Sequence, residues 1–219
     1  MTVDSLRQIL MGDLNALATT AAPGQEAGAS VPLLATALLE RWTEPHRAYH
    51  DTTHLAECLA AYDWVTAGIP AFERLTGRVA LWYHDAVYLP GRADNEEASA
   101  ALAETDLASL RVAPGFIAEV ARLIHETAAH DLPAAGAASA WVHDADLWIL
   151  AAPGPRFDDY CAQVRAEYAV VPDAAYRQGR AAILSALVNR PHLYAEPLPR
   201  ARWEAAARAN VARELARLA

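Results

Sequence analysis

Along almost the whole chain, apolar positions recur at intervals of three and four residues, the period of a helix with one buried face. Over residues 3–18 the stripe is Leu6, Ile9, Leu10, Leu14 and Leu17. Residues 21–29 read as a Gly, Pro and Ala loop, after which Ser30 caps and Pro32 opens a helix over 33–42. Pro45 interrupts the pattern across 43–51, and Thr52 or Thr53 caps the next helix, which runs to about residue 67. Pro70 opens another that passes through Val79, Ala80, Trp82 and Tyr83 to His84-Asp85. Past the break at Leu89-Pro90-Gly91, Asp94 caps a helix to about residue 110, and Pro114 starts one that ends near His130. Residues 140–151 are apolar except for their acids. Pro153-Gly154-Pro155, Pro172-Asp173 and Pro199 then punctuate three further helices, over 156–170, to about 189, and over 200–218. Alternating β-branched runs, which strands require, are scarce. An all-α fold is predicted.

Composition adds the reason for helix: Ala is abundant and loses no side-chain entropy there, while only 10 residues are Gly. A net charge of −9 argues against long nucleic acid as a partner, because phosphate backbones are met by basic faces. A small phosphorylated substrate remains compatible, since a metal ion supplies positive charge locally. Cys58 and Cys161 are too few for a disulfide framework and are expected to be buried small residues. Residues 1–10 lack the charged-then-apolar layout of a leader. The uncharged stretch 132–143 is too short to cross a bilayer. A soluble cytoplasmic protein is expected, without a membrane partner; a homodimer is compatible.

The histidines change the picture. His46, His50 and His54 stand at intervals of four, which brings His50 and His54 into one space if a helix begins between them. His84-Asp85 closes an aromatic and apolar helix, a place that packing alone does not explain. Asp144 and Asp146 lie inside an apolar segment, where two unpaired carboxylates are costly and a cation relieves the cost. His54, His84, Asp85 and Asp146 together offer two nitrogens and two oxygens. That donor set suits Mn, Fe, Zn, Co or Ni better than Ca, as one ion or two.

Spaced His, then His-Asp, then a distant Asp resembles the signature of the HD superfamily of metal-dependent phosphohydrolases. Tyr49-His50-x-x-x-His54 is similar to the Tyr-His-Asn-x-x-His motif of its cyclic nucleotide phosphodiesterases, with Asp51 in place of Asn. Val142-His143-Asp144-Ala145-Asp146-Leu147 looks like their segment around the last metal Asp. A nearer likeness, over about residues 42–194, is to a bacterial group of predicted HD phosphohydrolases. It includes Asp94-Asn95-Glu96-Glu97-x-Ser99-Ala100, His125 with His130, and Val164-Arg165-Ala166-Glu167-Tyr168 leading to Gly179-Arg180. The resemblance implies an HD-type helical bundle over 1–219, with a catalytic core at about 42–152 and C-terminal helices 156–218 packed on it. It also implies His54, His84, Asp85 and Asp146 as metal ligands, and His50 as the acid that protonates the leaving alkoxide.

Each assignment has a plainer rival. His50 could instead orient a ligand by a hydrogen bond, and Asp144 could replace Asp146 or brace it. His130 is a candidate for a second metal or for phosphate; His125, on another face, is a weaker one. Glu96 could activate water or simply favour a helix N-terminus, and Arg47 could grip a phosphate or be an ordinary surface Arg. Arg165, Glu167 and Arg180 are expected to form a buried ion-pair network. The function expected is hydrolysis of a phosphoester of a small metabolite or nucleotide. The alternatives are an HD-fold di-iron oxygenase and a non-catalytic metal- or nucleotide-binding module.

Overall fold

A computed structural model describes residues 1–18 and 30–219. The loop expected over 21–29 lies outside the described residues. The described chain contains ten α-helices, one 3-10 helix and no strand, so the all-α expectation is met.

The first helix, α1 (Val3–Ala18), lays its Leu stripe against α2 (Val31–Arg41). Next come α3 (Thr52–Val65) and α4 (Ala71–Tyr83), then the pair α5 (Asn95–Ser109) and α6 (Pro114–Thr127). The short α7 (Ala138–Asp146) tightens directly into the 3-10 helix (Leu147–Ala151). The chain closes with α8 (Gly154–Glu167), α9 (Asp173–Val188) and α10 (Pro197–Leu218). Helix α7 packs on both α3 and α4, α6 packs on α4 and α5, and α10 covers the 3-10 helix and α9. One buried cluster runs through this assembly from Leu6 to Val211, with Trp42, Trp82, Tyr62, Tyr83 and Phe157 among its largest members.

Several ends differ from the expected ones for local reasons. The cap of α3 is Asp51 rather than Thr52 or Thr53: its carboxylate accepts the amides of Thr53 at 2.7 Å and His54 at 3.3 Å. Asp94 precedes α5 without capping it, because its carboxylate is engaged by Arg92. Helix α6 ends at Thr127, and His130 follows in a left-handed conformation at φ 47°, which turns the chain toward α7. The last helix starts three residues earlier than expected, at Pro197, on the preceding segment that Asp144 ties down by accepting the amides of Ala195 at 2.6 Å and Glu196 at 2.8 Å.

No helix among the described residues is long and apolar enough to cross a membrane.

Candidate metal centre

Three helix termini meet at one point. Asp51 fixes the first turn of α3 and with it His54; α4 ends at Tyr83 and delivers His84 and Asp85; α7 ends on Asp146. The last carbonyls of a helix have no partner within it, and His84 uses one of them: its Nδ1 lies 2.9 Å from the Leu81 oxygen. Donation there places the proton on Nδ1 and turns the bare Nε2 inward.

Four side-chain atoms then converge. His84 Nε2 is 3.2 Å from His54 Nε2, 3.1 Å from Asp85 Oδ2 and 3.4 Å from Asp146 Oδ1. His54 Nε2 is 3.5 Å from Asp85 Oδ2 and 3.4 Å from Asp146 Oδ1. Ligands held about 2.0–2.2 Å from one ion stand roughly 3.0–3.5 Å from each other, so these spacings fit a common cation. All four residues are buried. Burial works against the charges of Asp85 and Asp146, yet the facing His84 and His54 hold both carboxyls well below the usual range. Burial likewise opposes charge on His84, while Asp85 and Asp146 raise it well above its ordinary value. Such a cluster demands positive charge, and a metal ion competes with protons for it.

Cys58 joins the group, which the sequence reading did not foresee. Its Sγ lies 3.5 Å from His54 Nδ1 and 3.9 Å from Asp146 Oδ1. His54, Cys58, His84 and Asp146 place one donor atom each within 4.8 Å of one another, and this buried set could hold a metal ion. The signal was the spacing of four from His54, one helical turn on the same face. Cys161 is buried, as expected.

The centre opens onto a cavity of about 650 Å³. His50 and Glu96 line it, as does His130, whose Nδ1 is 3.7 Å from the other oxygen of Asp146. Burial and the Asp85 carboxylate push the Glu96 carboxyl up. Asp144, the rival to Asp146, is fully buried and spent on His143 and the two amides before α10. His125 is exposed beside Glu97 and lies outside the cavity lining.

Two expectations are corrected. Arg47 does not face the cavity: its guanidinium is fully covered and donates to the carbonyls of His50 and Asp85, both at 2.8 Å, and of Ala86 at 3.1 Å, with Glu44 alongside. It therefore ties together the loops that carry His50 and Asp85, and no donor is left for phosphate. The network of Arg165, Glu167 and Arg180 does not form either. Glu167 reaches across the molecule instead, accepting the amides of Ala48, Tyr49 and His50 at 2.8–2.9 Å, the Tyr88 hydroxyl at 2.9 Å, and His50 Nδ1 at 2.7 Å. Burial pushes this carboxyl up, but His50 and the amides outweigh it and lower it to about 2. Arg165 is occupied by the carbonyls of Tyr168 and Val171.

Comparison with protein-family models, with curated proteins and with solved structures returned no match to this chain.

Proposed function

We propose that the chain is a metal-dependent phosphohydrolase of the HD type, acting on a phosphoester of a small metabolite or nucleotide. The observation that carries this reading is the meeting of His54, His84, Asp85 and Asp146 within 3.5 Å contacts at the floor of a cavity whose wall holds His50. A divalent transition metal in such a donor set supplies Lewis acidity and a lowered pKa for water. The chain's own residues supply the rest. Glu167 accepts from His50 Nδ1 and fixes the imidazole, leaving Nε2 to carry a proton to the leaving oxygen. Glu96, half-buried and pushed up, is placed to hold a proton at the side of Asp85. Tyr49, buried and tilted 4.6 Å from His54, covers that imidazole on one side.

Elemental analysis of the purified protein, followed by a phosphoester screen with Mn²⁺ added, tests the reading. Asp85→Ala is expected to weaken metal retention roughly 100-fold or more and to abolish turnover, because one of the few charged donors is removed. Undiminished metal content in that variant would sink the assignment.

One observation favours a second reading. Asp146 presents Oδ1 to His54 and His84 and Oδ2 toward His130, so His130 and Asp146 would together offer donors to a second ion. Two irons per chain, with oxygen uptake instead of phosphate release, would turn the assignment to a di-iron oxygenase.

A further inference from the structure

The cavity lining is chemically uneven. Its carboxylates, Asp85, Glu96 and Asp146, all stand beside the metal centre. A second wall is formed by one face of α9, where Ile183, Leu184 and Leu187 are apolar. Three arginines line the cavity, and two are committed: Arg92 pairs with Asp94, and Arg190 donates to the His130 carbonyl.

Arg180 is the third, and only the neutral Tyr160 side chain engages it among the described residues. Its Nε and Nη2 are buried without a hydrogen-bond partner, and the guanidinium lies 4.9 Å from the centroid of the Tyr160 ring. Among the described residues no carboxylate pairs with it. One turn earlier on the same face of α9, the Tyr176 hydroxyl is also buried and unpartnered. Buried polar groups are nearly always satisfied, so two side chains with unmet donors beside one cavity call for an acceptor from outside the chain. Between them Gly179 keeps the wall low: a Cβ placed there meets nothing within 4 Å. Two rings stand between Arg180 and the metal centre: Tyr160 meets Tyr49 edge-on at 4.5 Å, and Tyr49 lies tilted 4.6 Å from His54.

We propose that Arg180 and Tyr176 form an anion subsite set apart from the metal centre by the Tyr160 and Tyr49 rings. The substrate class is then a phosphoester that carries a second anionic group, carboxylate or phosphate, at the end away from the bond that breaks. Arg180 meets that group with its planar fork, and the apolar face of α9 covers the body between the two charges. Which end is cleaved rests on the phosphohydrolase reading; the subsite itself does not.

The probes are alkane α,ω-bisphosphonates of graded chain length and their matched monophosphonates, titrated calorimetrically into the Mn²⁺-loaded full chain. At the length that spans the cavity, the bisphosphonate binds roughly 10- to 100-fold tighter than its monophosphonate, the worth of a charge-assisted contact to Arg. Arg180→Met removes that gain while the monophosphonate loses little. Arg180→Lys, which keeps the charge and loses the fork, retains part of it, and unchanged metal content in both variants excludes a folding defect. A bisphosphonate no tighter than its partner at every length, or a gain that survives in Arg180→Met, overturns the subsite. Carboxylate-terminated monophosphonates run in parallel tell which second anion is preferred. Binding that depends on Arg180 with no ester turned over would uphold the subsite and overturn the hydrolase reading.

Discussion

At position 167 one carboxylate gathers three backbone amides, a tyrosine hydroxyl and an imidazole. Glu167→Gln keeps the shape, but one end of the side chain must now present an NH₂ where acceptors are needed. Stability is expected to fall by about 1–3 kcal/mol in denaturant titration, the cost of leaving buried donors unmet. Turnover should fall about tenfold or more through the loosened His50, with metal content unchanged. The sign of the pH effect follows from the depressed carboxyl. Its folded value of about 2 lies below the ordinary 4.5, so the stabilisation is fully present above that ordinary value and is lost as pH falls toward 2. In Glu167→Gln that acid-dependent loss should be smaller, measured as the change in unfolding midpoint between neutral and acid buffers. Nothing in the local sequence marked Glu167 for this duty, since its partner His50 is 117 residues away and only the fold brings them together. Arg47 misled in the opposite sense: a charged residue among polar neighbours reads as exposed, yet the carbonyls around it make a buried socket. His84-Asp85 was legible because two ligand types side by side at the end of an apolar helix have few structural uses.

Helix ends set the precision of the centre, and two positions show how. Gly77 lets α4 approach α3 closely, for a Cβ there would meet Tyr62 Oη at 2.5 Å. An exposed Gly-to-Ala change in a helix would stabilise. Here Tyr62 is fully buried and its hydroxyl is held 2.7 Å from the Arg74 carbonyl, so it cannot yield freely. Gly77→Ala is expected to cost about 1–3 kcal/mol, seen as a lowered melting midpoint in calorimetry. Asp51→Ala removes the cap of α3 and should cost about 1 kcal/mol. Because His54 belongs to that first turn, the same variant should bind Mn²⁺ more weakly, measured by competition with a chelating dye. The helices themselves were readable from period and from Pro and Gly punctuation. Their exact starts were not, because a carboxylate such as Asp51 competes with nearby hydroxyls for the same amides, and a tie such as Asp144 to the segment before α10 spans distant sequence.

For the whole molecule the centre is a junction, since α3, α4 and α7 each contribute to it and pack on one another. A ligand that binds only the folded chain stabilises it by mass action. At a metal concentration a hundredfold above its Kd the gain is about 2.7 kcal/mol, which raises the melting midpoint of a domain this size by roughly 5–10 °C. A chelator should reverse the shift, and Asp85→Ala should show little of it.

The Trp42 ring stands 5.5 Å from His84 and 6.4 Å from His54, inside the reach of a paramagnetic ion's effect on an excited indole. The protein thereby carries its own optical gauge. Intrinsic emission should dim as Mn²⁺, Co²⁺ or Ni²⁺ enters and change far less with diamagnetic Zn²⁺, and Trp42→Phe should weaken the signal. Occupancy of the centre can then be followed in real time, without a label and without knowing the substrate.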